Sequence, residues 1–177
     1  MIEQTKVSFD SSGFTCVGYL YRSTSISTLQ PCVVLTNGFT GTQDTPSIQT
    51  TAYEFVANGF TALTFDYRNF GESEGAPRQL ISINAQHEDI HATVLFARSH
   101  KSIDPERIAL WGTSLGGGHV IAVAADDPRI AAVVAQIPFN GFPKKVEGRS
   151  FKATIRLLGA MFKDASRVTG HINSKCQ

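Results

Sequence analysis

A chain of 177 residues, 42% hydrophobic and 18% charged, is long enough for one domain with a substantial core and has globular composition. Its net charge of +1 produces no overall field that would attract nucleic acid or a membrane surface. No run of 18 apolar residues exists, and residues 1–6 are not followed by an apolar stretch typical of a secretory signal. We therefore expect an intracellular, cytoplasmic protein with neither nucleic acid nor a membrane as partner.

Charge is distributed unevenly along the chain. Residues 1–140 contain 8 Lys and Arg against 13 Asp and Glu, a net charge of −5, whereas residues 141–177 contain 8 against 2, a net charge of +6. The basic segment is interpreted as a solvated tail, and the alternative is a segment that docks on the acidic body. We place the domain boundary here, with a core over residues 1–140 and a partial cap or lid segment over residues 141–177.

The first half of the chain predicts four strands and two helices. Apolar-rich strands over residues 6–9 and 14–21 are joined by Asp10-Ser-Ser-Gly13, a turn signal that favours a hairpin. Pro31 precedes a buried strand over residues 32–36, and another follows over residues 60–65. Apolar residues at helical spacing predict helices over residues 48–59 and 83–97.

The second half continues the alternation. Residues 102–106 contain Pro105 and predict a turn before a buried strand, Ile108-Ala-Leu-Trp111. A helix of small apolar residues should run to about Ala125, and a sixth strand should cover residues 130–137. Such alternation predicts an α/β fold whose mostly parallel sheet begins with an antiparallel hairpin. Beyond it, Phe151, Ile155, Leu158 and Phe162 have the spacing of an amphipathic helix.

Cysteines and histidines give no sign of a metal or cofactor. Cys16 and Cys32 lie in strand-like apolar runs, and with Cys176 the number is odd, which is typical of unpaired thiols in a reducing compartment. His87 and His91 stand one helical turn apart, but no further ligand completes a set, so we interpret them as partly buried structural residues. The C-terminal Ser-Lys-Cys-Gln does not match the Ser-Lys-Leu type of peroxisomal signal.

Gly112-Thr-Ser-Leu-Gly116 carries the strongest chemical signal, a G-x-S-x-G pattern between a buried strand and a helix. In this setting the serine occupies a strained turn, and glycines two positions away leave room for strand and helix to approach. Ser114 is therefore predicted to be a nucleophile. The Leu115 N–H, free at the start of the helix, could donate to an oxyanion.

Three motifs in order carry a resemblance to a known family: Asn37-Gly-Phe-Thr-Gly41, Asp66-Tyr-Arg-Asn-Phe-Gly-Glu-Ser73 and the serine motif. The chain resembles the α/β-hydrolase superfamily and is most similar to its fungal polyketide-transferase branch. Members of that branch release or transfer acyl groups in secondary-metabolite and toxin biosynthesis. The resemblance implies a small polyketide-like acyl substrate, with a polyketide synthase as a candidate partner. For relatives, the resemblance is also compatible with a peroxisomal location, although this chain has no C-terminal tripeptide signal.

The resemblance also implies a mechanism. Ser114 would attack an ester or thioester carbonyl, and the backbone N–H groups of Phe39 and Leu115 would stabilise the oxyanion. Asn37 stands where many relatives have histidine, a change without consequence if the donor is backbone. Asp66 is expected to be structural, because the matching loop of relatives shapes the top of the sheet.

The chain departs from the family pattern after the sixth strand. Triad partners should follow the serine on later strands, yet only Glu147, Asp164 and His171 remain, none after a recognisable strand. His119 should point down its helix and away from the Ser114 hydroxyl. The chain therefore resembles the first two-thirds of a family member, C-terminally truncated and lacking the last strands, and we expect little or no turnover. Three hypotheses stay open: an impaired acyl hydrolase or transferase, an inactive binding fragment, and a general esterase or dienelactone-hydrolase-like enzyme.

Overall fold

The computed structural model describes residues 1–141 and Ile155. Met1–Asn140 form one compact unit, and Gly141–Gln177 are grouped as a second. Glu147, Asp164, His171 and the expected amphipathic helix lie outside the described residues, except for Ile155 itself. The partial cap therefore stays a prediction.

A six-stranded sheet forms the centre of the first unit. Its strands are β1 (Ile2–Ser11), β2 (Phe14–Ser23), β3 (Gln30–Thr36), β4 (Thr61–Phe65), β5 (Ile103–Thr113) and β6 (Ala132–Gln136), arranged in the order β1-β2-β4-β3-β5-β6. The β1–β2 hairpin is antiparallel and β2 pairs antiparallel with β4, whereas β4, β3, β5 and β6 are mutually parallel. This arrangement confirms the predicted α/β fold with an antiparallel start.

Three helices cover the two faces of the sheet: α1 (Pro46–Ala57), α2 (Ile83–Ser99) and α3 (Leu115–Asp126). Alternate residues of β3 point to opposite faces, as the two-residue period of a strand requires. Val34 packs with Ile90 of α2 and Val120 of α3, whereas Val33 and Leu35 pack with Ile48 and Val56 of α1. The parallel strands are apolar on both faces because helices lie on both.

The turn predicted over residues 102–106 is wrong, because β5 begins at Ile103 and contains Pro105. Proline lacks the N–H that a regular ladder needs, so a strand tolerates it at an irregularity. The pairing of β5 with β3 is irregular at this point. Gln30 pairs with Ile103, whereas Cys32, two residues later in β3, pairs with Ile108, five residues later in β5. The Asp104 carboxylate accepts hydrogen bonds there from the Glu106 N–H at 3.1 Å and Arg107 Nε at 2.6 Å.

The parallel strands place the candidate chemistry at one edge. Asn37 follows β3, Asp66 follows β4 and Ser114 follows β5, and the carboxyl ends of parallel strands meet at the same side of a sheet. Crevices at this edge are where open α/β sheets bind ligands.

In the part of the chain that the structure describes, β6 has a neighbouring strand on one side only. Its Val133 and Val134 are exposed, and Ile137 just after it is 77% exposed. An open, apolar strand edge is a template for pairing with another chain.

We therefore expect the 177-residue chain to self-associate at high concentration. Val134→Lys should reduce this association with little change in melting temperature, because a charge on an edge strand opposes pairing. Light scattering after size-exclusion chromatography measures the effect. Leu95→Lys, at a 65% exposed position of α2 whose backbone is bonded within the helix, is the matched control and should change nothing. A wild-type chain that stays monomeric at high concentration would contradict the prediction.

Candidate active site

Ser114 lies in a strained turn between β5 and α3. Its φ of 54° and ψ of −120° are rare for any residue other than glycine. Backbone hydrogen bonds hold the turn: the Ser114 N–H donates to the Gln136 carbonyl at 3.0 Å, and the Phe139 N–H donates to the Ser114 carbonyl at 2.8 Å. The end of β6 and the segment after it therefore fix the serine backbone.

The flanking glycines are required by contacts between backbones. A Cβ on Gly116 would lie 2.4 Å from the carbonyl oxygen of Asn37, and one on Gly112 would lie 2.3 Å from that of Gly116. The Thr36 hydroxyl donates to the carbonyls of Trp111 and Gly116, both at 3.2 Å. The first turn of α3 is therefore packed directly against the end of β3.

The segment after β3 lies beside the serine side chain. A Cβ on Gly38 would be 3.4 Å from Ser114 Cβ and 4.0 Å from its Oγ. Within the described residues, the N–H groups of Phe39 and Leu115 have no hydrogen-bond acceptor. For Leu115 the reason is its place as the first residue of α3, where amides lack an intrahelical partner. This geometry suits an oxyanion hole.

Asn37 holds that segment to the neighbouring strand. Its Nδ2 donates to the Phe65 carbonyl at 3.1 Å, while its Oδ1 is buried without a partner. The Gly41 N–H donates to the Gly38 carbonyl at 3.2 Å and closes a turn around Phe39. The Asn37 amide therefore connects the end of β3 to the end of β4. This is the contact that Asn37 makes at the position where many relatives are expected to have histidine.

Asp66 is buried and joins two loops. Its carboxylate accepts hydrogen bonds from the Gln43 N–H at 2.8 Å, from Gln43 Nε2 at 3.0 Å and from the Glu72 N–H at 2.9 Å. Gly71, with φ of +46°, passes so close that a Cβ would meet Asp66 Oδ2 at 2.0 Å. Burial raises the pKa of Asp66, and these donors oppose the shift. The contacts support the structural interpretation of Asp66.

Gln43 was not predicted from the sequence, although it supplies two of the three donors to Asp66. A buried carboxylate needs donors, and the polar residues of the adjacent loop were the place to seek them.

His119 is occupied by neighbouring side chains. Its Nε2 lies 2.8 Å from Gln86 Oε1, which can only accept, so Nε2 carries the proton. Nδ1 then accepts from His87 Nε2 at 2.9 Å. Both ring nitrogens are used, which excludes His119 as a base for Ser114 in this conformation. No histidine among the described residues forms a hydrogen bond with the Ser114 hydroxyl.

Comparisons with known proteins identify a family for the chain. A sequence model of the family described as serine aminopeptidase S33 (Hydrolase_4) matches residues 28–177. The chain is 46% identical over 161 residues to the quorum-quenching protein AidA of Acinetobacter baumannii, covering 89% of this chain and 51% of that protein. It is 39% identical over 130 residues to the polyketide transferase ATR5 of Stachybotrys chlorohalonatus, covering 73% and 42%.

A solved structure gives the same result. The crystal structure of the α/β hydrolase GrgF from Penicillium sp. sh18 superposes with a TM-score of 0.73 at 31% identity, covering 95% of this chain and 56% of that one. The similarities confirm the resemblance predicted from the three ordered motifs. The chain spans about half the length of the curated relatives it matches. Within the described residues, no helix is long and apolar enough to cross a membrane.

Gly116→Ala should lower the free energy of unfolding by about 3 kcal/mol, since overpacking typically costs about 1–3 kcal/mol and the obstructing atoms are backbone. Gly117→Ala is the matched control on the same helix turn. Its Cβ would meet the Gln136 carbonyl and Pro138 Cα at 3.1 Å and the Gly112 carbonyl at 3.2 Å. These contacts are milder than those at Gly116 and are partly offset by the higher helix propensity of alanine. Chemical denaturation measures both variants, and equal losses would contradict the packing argument.

Burial, with a smaller effect from neighbouring His87, lowers the pKa of His119 from 6.5 to about 4. Because the unfolded chain binds this proton first, the stability of the folded state should fall as pH decreases from 6.5 to about 4. A shift of this size corresponds to about 3 kcal/mol. The His119→Gln variant lacks the titrating group. As pH decreases across that window, wild type should therefore lose more stability than the variant. Urea unfolding at several pH values measures it, and a difference that does not vary with pH would contradict it.

Proposed function

Because the chain belongs to the serine aminopeptidase S33 family of α/β hydrolases, we propose that Ser114 is the nucleophile of an acyl hydrolase or acyltransferase. The observation that carries this proposal is the strained backbone of Ser114 between two glycines that admit no side chain. Such a turn holds the hydroxyl above the end of the sheet, where a substrate carbonyl can reach it.

The proposed reaction is nucleophilic acyl transfer. Ser114 Oγ attacks an ester or thioester carbonyl, the alcohol or thiol leaves, and water or an alcohol acceptor resolves the acyl-enzyme. The N–H groups of Phe39 and Leu115 donate to the oxyanion of the tetrahedral intermediate. Their lack of other acceptors within the described residues supports this role, and the start of α3 adds a favourable dipole.

Ser114 needs a proton acceptor, and the described residues do not supply one. A positioned histidine contributes about 10²–10⁴-fold as a general base. Without a triad, an oxyanion hole and binding leave about 10³–10⁴-fold over water. The remaining candidates, Glu147, Asp164 and His171, follow no recognisable strand in the sequence, so we expect little turnover from the isolated chain.

The names of the relatives support a substrate class. Besides the polyketide transferase, a thiohydrolase of Aspergillus aculeatus is 40% identical over 108 residues, covering 61% of this chain and 34% of that protein. These names support a polyketide-like acyl thioester or ester, for which a polyketide synthase would be the acyl donor. The free, buried Cys16 and Cys32 support an intracellular location, because unpaired thiols are typical of reducing compartments.

A second candidate substrate is a quorum signal. The 46% identity to a quorum-quenching protein over 89% of this chain favours it. A serine hydrolase can inactivate such a signal by attacking a carbonyl group in it, which is the chemistry proposed for Ser114.

We expect weak, Ser114-dependent acylation by activated acyl donors. A fluorophosphonate probe should label the isolated chain slowly, because no described histidine contacts the Ser114 hydroxyl to activate it. Under an excess of p-nitrophenyl butyrate, intact mass spectrometry should detect one butyryl group that accumulates, since no described histidine is placed to activate water for its release. Replacing the donor with an acyl thioester or an acylated lactone then ranks the two substrate classes.

Ser114→Ala should abolish both adducts, whereas Ser99→Ala, on the exposed end of α2, should leave them unchanged. Adducts that persist in Ser114→Ala would refute Ser114 as the nucleophile. Rapid labelling together with sustained turnover, both lost in Ser114→Ala, would refute the expectation of little activity and show that a base is present.

A further inference from the structure

We propose that Ile137 and the side chain of Phe39 determine the acyl specificity of the Ser114 site, and that they select a neutral, apolar acyl chain. Ile137 directly follows β6, and Phe39 is the third residue after β3. The proposal rests on the proposed function, because it concerns the acyl group whose carbonyl Ser114 attacks.

The backbone of Ile137 has a conformation that its side chain disfavours. Its φ is +41°, and among the described residues Thr40 is the one other β-branched residue with a positive φ. A β-branched residue is a genuine outlier there, whereas glycine or asparagine adopts such a conformation more readily. Thr40 and Ile137 belong to the loops on either side of the strained Ser114. Residues held in sparsely populated backbone regions cluster at functional sites.

Hydrogen bonds to Ser114 hold the backbone on both sides of Ile137. The Gln136 carbonyl, one residue before it, accepts from the Ser114 N–H at 3.0 Å. The Phe139 N–H, two residues after it, donates to the Ser114 carbonyl at 2.8 Å. Ile137 therefore has a fixed position relative to the proposed nucleophile.

The Ile137 side chain is 77% exposed in this conformation. Ala135, two residues earlier, packs against the core cluster on the α3 side, and a regular strand would direct Ile137 to the same face. The start of α3 is too close for that, because a Cβ on Gly118 would overlap the Phe139 carbonyl oxygen. Glycine at position 137 would relieve the strain and expose less apolar surface. Packing among the described residues therefore does not account for isoleucine here, whereas contact with a ligand would.

Phe39 lies on the other side of Ser114. Because β5 lies between β3 and β6, the loops that follow β3 and β6 are separated by two strand spacings, about 10 Å. Phe39 is 66% exposed. Two exposed apolar side chains at this separation can contact one alkyl chain from both sides while its carbonyl is at Ser114.

The loops at this edge favour a neutral chain. Residues 37–41, 112–116 and 136–141 contain no Lys, Arg, Asp or Glu. A charge placed among apolar side chains loses hydration without gaining a partner. An acyl group with an ammonium next to its carbonyl, as in an aminoacyl group, should therefore fit less well than an alkyl chain of the same length.

The rates at which p-nitrophenyl hexanoate and p-nitrophenyl acetate acylate Ser114, followed by intact mass spectrometry, test the proposal. Hexanoate has four more methylenes, and full burial of each is worth about fourfold, so partial contact should make the hexanoate-to-acetate ratio at least about tenfold. Ile137→Asn should lower this ratio about fivefold, because asparagine tolerates the backbone conformation but removes the apolar contact. Phe39→Ala should also lower it, and it keeps the backbone N–H of the proposed oxyanion hole.

Ile121→Asn is the matched control, the same exchange at a half-exposed position of α3, and should leave the ratio unchanged. Ile137→Leu keeps an apolar side chain and should retain most of the preference. Ile137→Asn should melt no lower than wild type, which thermal unfolding checks. A ratio that survives Ile137→Asn, or that Ile121→Asn lowers equally, would overturn the proposal. A ratio that rises with protein concentration would also overturn it, since it would assign the contact to a second copy of the chain.

Binding of an unreactive amide distinguishes failure of this proposal from failure of the proposed function. Hexanamide carries the same acyl chain, and its titration into Ser114→Ala is followed by the methyl carbon-13 signals of Ile137 and Ile121. A saturable shift at Ile137 alone supports the acyl contact even where no Ser114-dependent adduct forms, which would refute only the nucleophile. No shift at Ile137 would overturn the acyl contact. Norleucinamide, which adds an α-ammonium group, should bind at least about tenfold more weakly, and equal affinity would overturn the preference for a neutral chain.

Discussion

The contact between the first turn of α3 and the end of β3 is the constraint on which the candidate site depends. There is no room for a side chain between these two backbones, since a single Cβ at Gly112 or Gly116 would overlap backbone oxygens. This close approach forces the chain through the strained conformation of Ser114 and brings Gly38 against its side chain. The proposed nucleophile Ser114 and the proposed oxyanion-hole segment after β3 are thus placed by the same packing contact.

Much of this arrangement could be predicted from the sequence because its determinants are local. Glycines at fixed spacing around Ser114 and apolar runs bounded by turn residues act within a few residues of one another. The alternation of strands and helices and the strained turn at Ser114 therefore follow from them. Pro105 shows the limit of local reasoning. A proline usually ends a strand, but here the pairing of β5 with β3 contains an irregularity that tolerates it. Nothing within residues 102–106 encodes that register.

The roles of buried polar residues were harder to predict because they depend on distant partners. The contacts of Asp66 with Gln43, and of His119 with His87, join residues 23 and 32 positions apart. A sequence shows which side chains can donate or accept, but the fold decides which of them meet. Burial then favours a partner for each, and His119 forms its hydrogen bonds with Gln86 and His87, so it is not available to the Ser114 hydroxyl.

The backbone geometry of the turn at Ser114 and the reactivity of the Ser114 hydroxyl have separate physical causes. A residue in a sparsely populated backbone region typically stores about 1–3 kcal/mol, which the surrounding structure must offset. Here the bonds from Ser114 to Gln136 and Phe139, and the packing of α3 on β3, do so without any triad partner. Orientation is therefore complete within the described residues, whereas proton transfer is not. A strained serine of this kind shows where chemistry would occur, and only the group that accepts its proton decides how fast.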